Sequence, residues 1–143
     1  MFSKTFGYAL RAVVLVAQLG QNGRKLGLQE ISDQLEIPHH FLGKIMQDMV
    51  KHGIVDSLKG PTGGFFANKQ TPKIPIWEVL KVTDGSLVFE TCALGIQRCN
   101  AAAPCPLHGD FAVCRNGMQQ VFSEKTIGDL AENVAAGLAF LIR

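Results

Sequence analysis

Apolar positions recur at helical spacing from the start of the chain. Phe6, Ala9, Leu10, Val13, Val14 and Ala17 lie in the stretch Thr5 to Leu19, which Gly20 and Asn22-Gly23 close. The helix predicted there is apolar nearly all round, which puts it inside a core or against a second subunit. Leu28, Ile31 and Leu35 mark one face of a short second helix, and Glu36-Ile37-Pro38 turns the chain. Phe41, Leu42, Ile45, Met46, Met49 and Val50 then form the apolar face of a third helix, His39 to His52. Its opposite face carries His40, Lys44, Gln47 and Lys51 at steps of four, three and four. Such a stripe can donate to phosphates or base edges, and it is equally the solvated face of an ordinary surface helix. Gly43 beside it permits close approach.

Two short helices joined by a tight turn make a helix-turn-helix pattern. Alternating segments Ile54 to Leu58 and Phe65 to Ala67 follow as strands, separated by Lys59-Gly60-Pro61-Thr62-Gly63-Gly64. This hairpin reads as a wing, with a plain connecting hairpin as the alternative. Its glycines remove side chains where backbone must come close to something, Lys59 supplies charge and Thr62 supplies a donor. A helix over Ile76 to Thr83 comes next, with Trp77 as core packing. From Leu107 to Phe122 the apolar positions Leu107, Phe111, Cys114, Met118, Val121 and Phe122 form a narrow seam suited to pairing with another helix. Thr126 and Asp129 resemble a capping box opening a last helix through Leu130, and the tail Leu138-Ala139-Phe140-Leu141-Ile142 is apolar enough to require docking on its own subunit or a partner.

Composition leaves this picture unchanged: with 47% hydrophobic and 18% charged residues, a 143-residue chain can bury a core. Charge distribution adds to it. Residues 1–73 hold nine Lys or Arg against five Asp or Glu, and residues 74–143 hold five against seven, so the net +2 divides into a basic half of +4 and an acidic half of −2. The basic half, which contains the helix-turn-helix, is the one suited to a polyanion. No apolar run approaches the roughly 18 to 20 residues of a membrane span, and no export signal is apparent, so a cytoplasmic, membrane-free location is expected. In that reducing compartment the four cysteines, Cys92, Cys99, Cys105 and Cys114, read as metal ligands or redox thiols.

The order of parts resembles the winged helix-turn-helix regulators that include IscR, NsrR and CymR. The likeness covers nearly the whole chain. It is carried by Tyr8-Ala9-Leu10-Arg11, by Leu28-x-Glu30-Ile31-Ser32 leading to Pro38-x-x-Phe41-Leu42, by Gly53-Ile54-Val55, by the wing motif Lys59-Gly60-Pro61-Thr62-Gly63-Gly64-Phe65, and by Thr126-Ile127-Gly128-Asp129-Leu130. The wing motif is the most specific. The resemblance implies a mainly α fold with a small β wing: a winged helix-turn-helix domain at 1–85, a cysteine-rich cluster-binding loop at 86–106, and a dimerisation helix with a C-terminal helix at 107–143. It also implies a homodimer on double-stranded operator DNA. Recognition helices would enter successive major grooves and the wings the minor groove, with His39, His40, Lys44 and Gln47 on the helix and Lys59, Pro61, Thr62 and Gly63 in the wing as the contacts.

Cluster-bearing members of that family carry three cysteines between the winged domain and the dimerisation helix, and Cys92, Cys99 and Cys105 match them, with His108 after the third. Three departures stand out. Six residues separate Cys92 from Cys99 where five are usual, Cys114 is extra, and Gly43 replaces an acidic reader found in some relatives. Thiolates spaced this way on loops suit a polynuclear iron cluster, whereas a structural zinc site usually contains a tight C-x-x-C pair. His108 is the best fourth ligand, and an imidazole there favours a 2Fe-2S form over 4Fe-4S. Cys114, within the seam, reads as packing. The expected function is a DNA-binding regulator, a repressor rather than an enzyme, controlled by an iron-sulfur cluster. A regulator sensing a thiol or small ligand without a cluster, another metal, and a small iron-sulfur electron-transfer protein are the alternatives. No nucleophile motif with a base and no phosphate-binding glycine loop supports an enzyme.

Overall fold

The computed structural model describes residues 1–143, the side chain of Gln21 excepted. Six α-helices and one two-stranded antiparallel sheet follow one another as α1 (Lys4–Leu19), α2 (Leu28–Leu35), α3 (His39–Lys51), β1 (Asp56–Leu58), β2 (Gly64–Phe66), α4 (Ile76–Thr83), α5 (His108–Glu124) and α6 (Ile127–Ala135). Helix α1 starts where the Ser3 side chain accepts from the Phe6 amide at 3.0 Å. Its all-round apolar surface makes it the axis of the core: Phe6, Ala9 and the whole run Ala12 to Ala17 are buried, with α2, α3, α4 and α6 packed around it.

The turn of the helix-turn-helix is fixed by one serine. Ser32, itself buried, donates to the Ile37 carbonyl at 2.6 Å and accepts at its own carbonyl from the Ile37 amide at 3.1 Å, while Glu36 adopts a left-handed φ of 54°. Arg11 ties this unit to α1 by donating to the Leu35 carbonyl at 2.8 Å, one of the acceptors that a helix end leaves open. The same guanidinium lies 5.8 Å from the Tyr8 ring centroid, so the Tyr8-Ala9-Leu10-Arg11 motif holds the reader onto the core.

Helix α3 buries Leu42, Ile45, Met46 and Met49 as its spacing predicts. Phe41 departs from that face. It is 52% exposed, leans on His40 with centroids 4.2 Å apart, and lies 6.4 Å from the Tyr8 ring of α1. Strand β1 is shorter than expected on its N-terminal side, and β2 runs one residue earlier than the expected Phe65 to Ala67. Ile54 and Val55 are buried, but Ile54 receives its backbone bonds from elsewhere: its amide donates to Met49 and its carbonyl accepts from the Thr71 hydroxyl at 2.7 Å. Pairing therefore runs only from Asp56↔Phe66 to Leu58↔Gly64, and Leu26 adds a third, single-residue bridge to Phe65.

The capping box opens α6 as expected, with Asp129 N–H donating to Thr126 Oγ1 at 3.1 Å and Thr126 N–H to Asp129 Oδ2 at 2.9 Å. Those bonds hold the Asp129 carboxyl below its ordinary range, the Thr126 backbone contributing most. The helix continues past Leu130 to Ala135, because Ala131 and Val134 still face the core. Beyond it Leu141 packs against the core, whereas Leu138 and Phe140 remain exposed.

The seam on α5 splits into two stripes. Met118 and Phe122 turn toward their own domain, Phe122 stacking on Phe2 at 5.0 Å and on Phe6 at 5.6 Å. Leu107, Cys114 and Val121, seven residues apart, face solvent. Cys114 is thus not core packing. Phe111, Arg115, Met118 and Phe122 occupy the inward face, and Cys114 lies off that line on a helix with no buried residue. No described helix is long and apolar enough to cross a membrane.

Candidate nucleic-acid interface and thiol site

The wing owes its shape to glycines that no other residue replaces without a clash. A Cβ at Gly63 would stand 1.9 Å from the Leu58 carbonyl oxygen, and one at Gly64, where φ is 143°, would stand 2.7 Å from the Leu26 carbonyl oxygen. The backbone that must come close is therefore the chain's own. With the tip so folded, Lys59, Pro61 and Thr62 are exposed and Gly63 is partly covered. Between α3 and the wing runs a cleft of about 400 Å³, lined by Gln47, Val50 and Lys51 on one side and by Ser57, Leu58 and Lys59 on the other. The fold thus places the helix stripe and the wing lysine on one face.

His39, His40 and Gln47 are exposed along α3. Lys44 is exposed too, but it pairs with Asp48 at 2.9 Å one turn on, so its charge is partly compensated. Lys59 is in no ion pair among the described residues, and this separates the two lysines electrostatically. Gly43 is not demanded by the fold: a Cβ there would make only an ordinary 3.5 Å contact with Leu28.

Residues 86–108, which carry no periodic signal, are nonetheless ordered by a small hairpin. Thr91 bridges Arg98, Cys99 N–H donates to the Glu90 carbonyl at 2.7 Å, and Cys92 N–H to the Gln97 carbonyl at 3.3 Å. Gly95 and Gln97, both at positive φ, make its turn. The hairpin brings together residues seven apart, and Cys105, from the segment before α5, and His108, the first residue of α5, close the ring. Cys92, Cys99, Cys105 and His108 all line one cavity of about 190 Å³. Cys99 Sγ lies 3.1 Å from His108 Nδ1. Cys92 is buried, and amides aimed at its sulfur, Leu94 first and then Ile96, hold its thiol below the ordinary range; Cys105 adds to this, against the burial that pushes it up. Cys114 lies outside the cavity.

No three His, Cys, Asp or Glu groups among the described residues converge tightly enough for a single ion.

The family described as "Rrf2: Iron-dependent Transcriptional regulator" matches residues 2–133. The chain belongs to the Rrf2 family. Among its relatives, this Rrf2 protein is 35% identical over 132 residues to a candidate HTH-type transcriptional regulator of Aquifex aeolicus, covering 91% of this chain and 90% of that one. It is 27% identical over 126 residues to the HTH-type transcriptional regulator IscR of Escherichia coli O1:K1, covering 88% and 76%. In fold it is similar to CymR, the global cysteine regulator of B. subtilis, with a TM-score of 0.77 at 17% identity over 92% of this chain and 96% of that one. The Rrf2 chain is a winged helix-turn-helix protein of a transcriptional regulator family, as its sequence motifs imply.

Two features of this Rrf2 protein escape a reading of its sequence. Hydrophobic periodicity cannot show the hairpin at 90–99, because backbone bonds and two positive-φ turns make it. The second is a polar cleft on the other side of Cys99, at Trp77 and Arg115.

Proposed function

We propose that this Rrf2 protein is a cytoplasmic homodimeric repressor whose affinity for operator DNA is set by an iron-sulfur cluster on Cys92, Cys99, Cys105 and His108. The observation that carries the reading is the gathering of these four side chains, from a loop without hydrophobic pattern, around one cavity. An iron-sulfur cluster bound there supplies an occupancy that oxidants and iron supply can change. The chain's own part is to present the donors. The Leu94 and Ile96 amides favour the Cys92 thiolate, the form that ligates iron, and His108 starts α5, so its position is transmitted to that helix. One imidazole beside three thiolates favours a 2Fe-2S form.

The exposed heptad stripe Leu107, Cys114 and Val121 supports pairing of α5 with a second copy. Pairing sets the separation of two α3 helices. In this arrangement residues 1–85 read DNA, 86–106 sense and 107–143 couple the copies. His39, His40, Lys44 and Gln47 face the major groove; Lys59, Pro61, Thr62 and Gly63 face the minor groove and its phosphates.

Two observations favour a second reading. The 3.1 Å Cys99–His108 contact and the depressed Cys92 thiol are also what a cluster-free thiol sensor needs.

The reader is tested by band-shift titration of the DNA upstream of the protein's own gene across a salt series. Lys59→Ala removes one phosphate contact per protomer, so the log–log salt slope of a dimer should flatten by about 1.8. Lys44→Ala should change it less, because Asp48 already shares that charge. Unchanged affinity and slope in both variants would remove the assignment.

A further inference from the structure

A second cleft, of about 460 Å³, lies between α4 and α5 behind the thiol hairpin, and the proposed cluster does not use it. Trp77 and Phe89 stand on one wall, and Ser86, Asn116 and Gln119 offer hydroxyl and amide groups. Arg115 reaches in from the inward face of α5. Its Nη1 is buried and has no hydrogen-bond partner among the described residues. A buried guanidinium nitrogen is ordinarily satisfied, so this unpaired Nη1 at the edge of a polar cleft, on a partly exposed side chain, indicates an acceptor still to arrive. Glu90, the one acidic residue on the lining, faces Arg98 at 3.7 Å and leaves Arg115 uncompensated.

We propose that this cleft binds a small hydroxylated monocarboxylate, its carboxylate held by Arg115. The planar fork of a guanidinium matches a carboxylate, and the lining's net single positive charge, from Arg98 and Arg115 against Glu90, matches one negative charge. The surrounding amides and Ser86 suit hydroxyl groups better than an apolar body. A size of several hundred Å³ is that of small-metabolite sites.

The cleft adjoins the thiols. Arg98 and Cys99 line both this cleft and the thiol cavity, and the Thr91–Arg98 bridge belongs to the hairpin that sets Cys92 and Cys99. A ligand on Arg115 therefore rests against the back of that hairpin and biases its closed form. The ligand site is independent of the cluster reading; its influence on sensing rests on it.

Trp77 is the chain's single tryptophan, so the cleft carries its own probe. The full chain, metal-free and without DNA, is titrated with lactate, glycerate and gluconate at constant ionic strength while tryptophan emission is followed. A saturable change is expected with at least one of them, weakened about tenfold or more in Arg115→Gln. Asn116→Asp, which adds a second carboxylate to the cleft lining and cancels its net positive charge, should weaken it similarly, so the result does not depend on one variant folding. Slower hydrogen exchange at residues 90–99 should accompany saturation in the wild type alone. Absence of a saturable change with all three probes, titrations unaltered in both variants, or equally tight binding of inorganic phosphate would overturn the site. So would a midpoint that follows protein concentration, which would assign Arg115 to an acceptor on a second copy. Because neither iron nor operator is present, failure here leaves the DNA-binding and cluster reading standing.

Discussion

Serine in place of Cys92, Cys99 or Cys105 is expected to cut bound iron and sulfide to less than about a tenth of the wild-type content, with the visible absorption lost in parallel. Serine keeps the shape and a hydroxyl but not the soft sulfur that iron in a cluster selects. The three positions are not equivalent. Cys92 is buried under the Leu94 and Ile96 amides, so its serine variant loses both ligand and preorganised thiolate. Cys99 and Cys105 are partly exposed, and their variants should fold with unchanged helicity. His108→Ala should lower cluster retention less than any of these, since the thiolates remain. Cys114→Ser is the control. It lies outside the cavity on an exposed stripe, and its iron content should equal the wild type's. Iron analysis on anaerobically purified variants checks the order, and a loss confined to Cys114→Ser would overturn the ligand set.

Gly63→Ala should have the largest effect on the reader. The added Cβ would meet the Leu58 carbonyl oxygen at 1.9 Å, a contact that backbone cannot accommodate without moving. The Leu58↔Gly64 rung must open, and the tip that holds Lys59, Pro61 and Thr62 is displaced from α3. Forced overpacking of this kind costs about 1–3 kcal/mol, and a wing displaced from the cleft should lower operator affinity at least tenfold, with a smaller change in thermal midpoint. Gly43→Ala separates fold from reading. Its Cβ would make an ordinary 3.5 Å contact in a helix interior, where alanine is favoured over glycine by about 1 kcal/mol, so stability should rise slightly. Equal operator affinity in wild type and Gly63→Ala would show that the wing does not touch DNA.

What was legible in the sequence follows from the kind of signal each part carries. Amphipathic helices with breakers at their ends were readable to within a residue or two: α2 runs Leu28–Leu35, α4 runs Ile76–Thr83, and the Thr126/Asp129 box opens α6. The membership of the wing was readable from its glycines, but the reason for them was not. Gly63 and Gly64 answer to the Leu58 and Leu26 carbonyls, contacts between segments that spacing does not reveal. Strand β1 came out shorter than its apolar run because Ile54 bonds to Met49 and Thr71, and a buried threonine gives no periodic signal. The seam on α5 merged two faces, since steps of three and four fit both a core stripe and an outward heptad, and only packing against Phe2 and Phe6 separates them. At the thiol site the sequence named the four residues that line the cavity, whereas the hairpin that gathers them is a backbone feature.

The central claim is that occupancy of the thiol cavity sets operator affinity. Protein purified without oxygen is divided, one half is stripped of iron by chelation, and both are titrated against the same labelled operator with iron, sulfide and visible absorption recorded alongside. The account predicts a coloured, iron- and sulfide-containing protein and an affinity that differs between the halves by about 5- to 150-fold, the usual range of allosteric coupling. A colourless, iron-free preparation that binds the operator fully, or two halves with the same affinity, would contradict it.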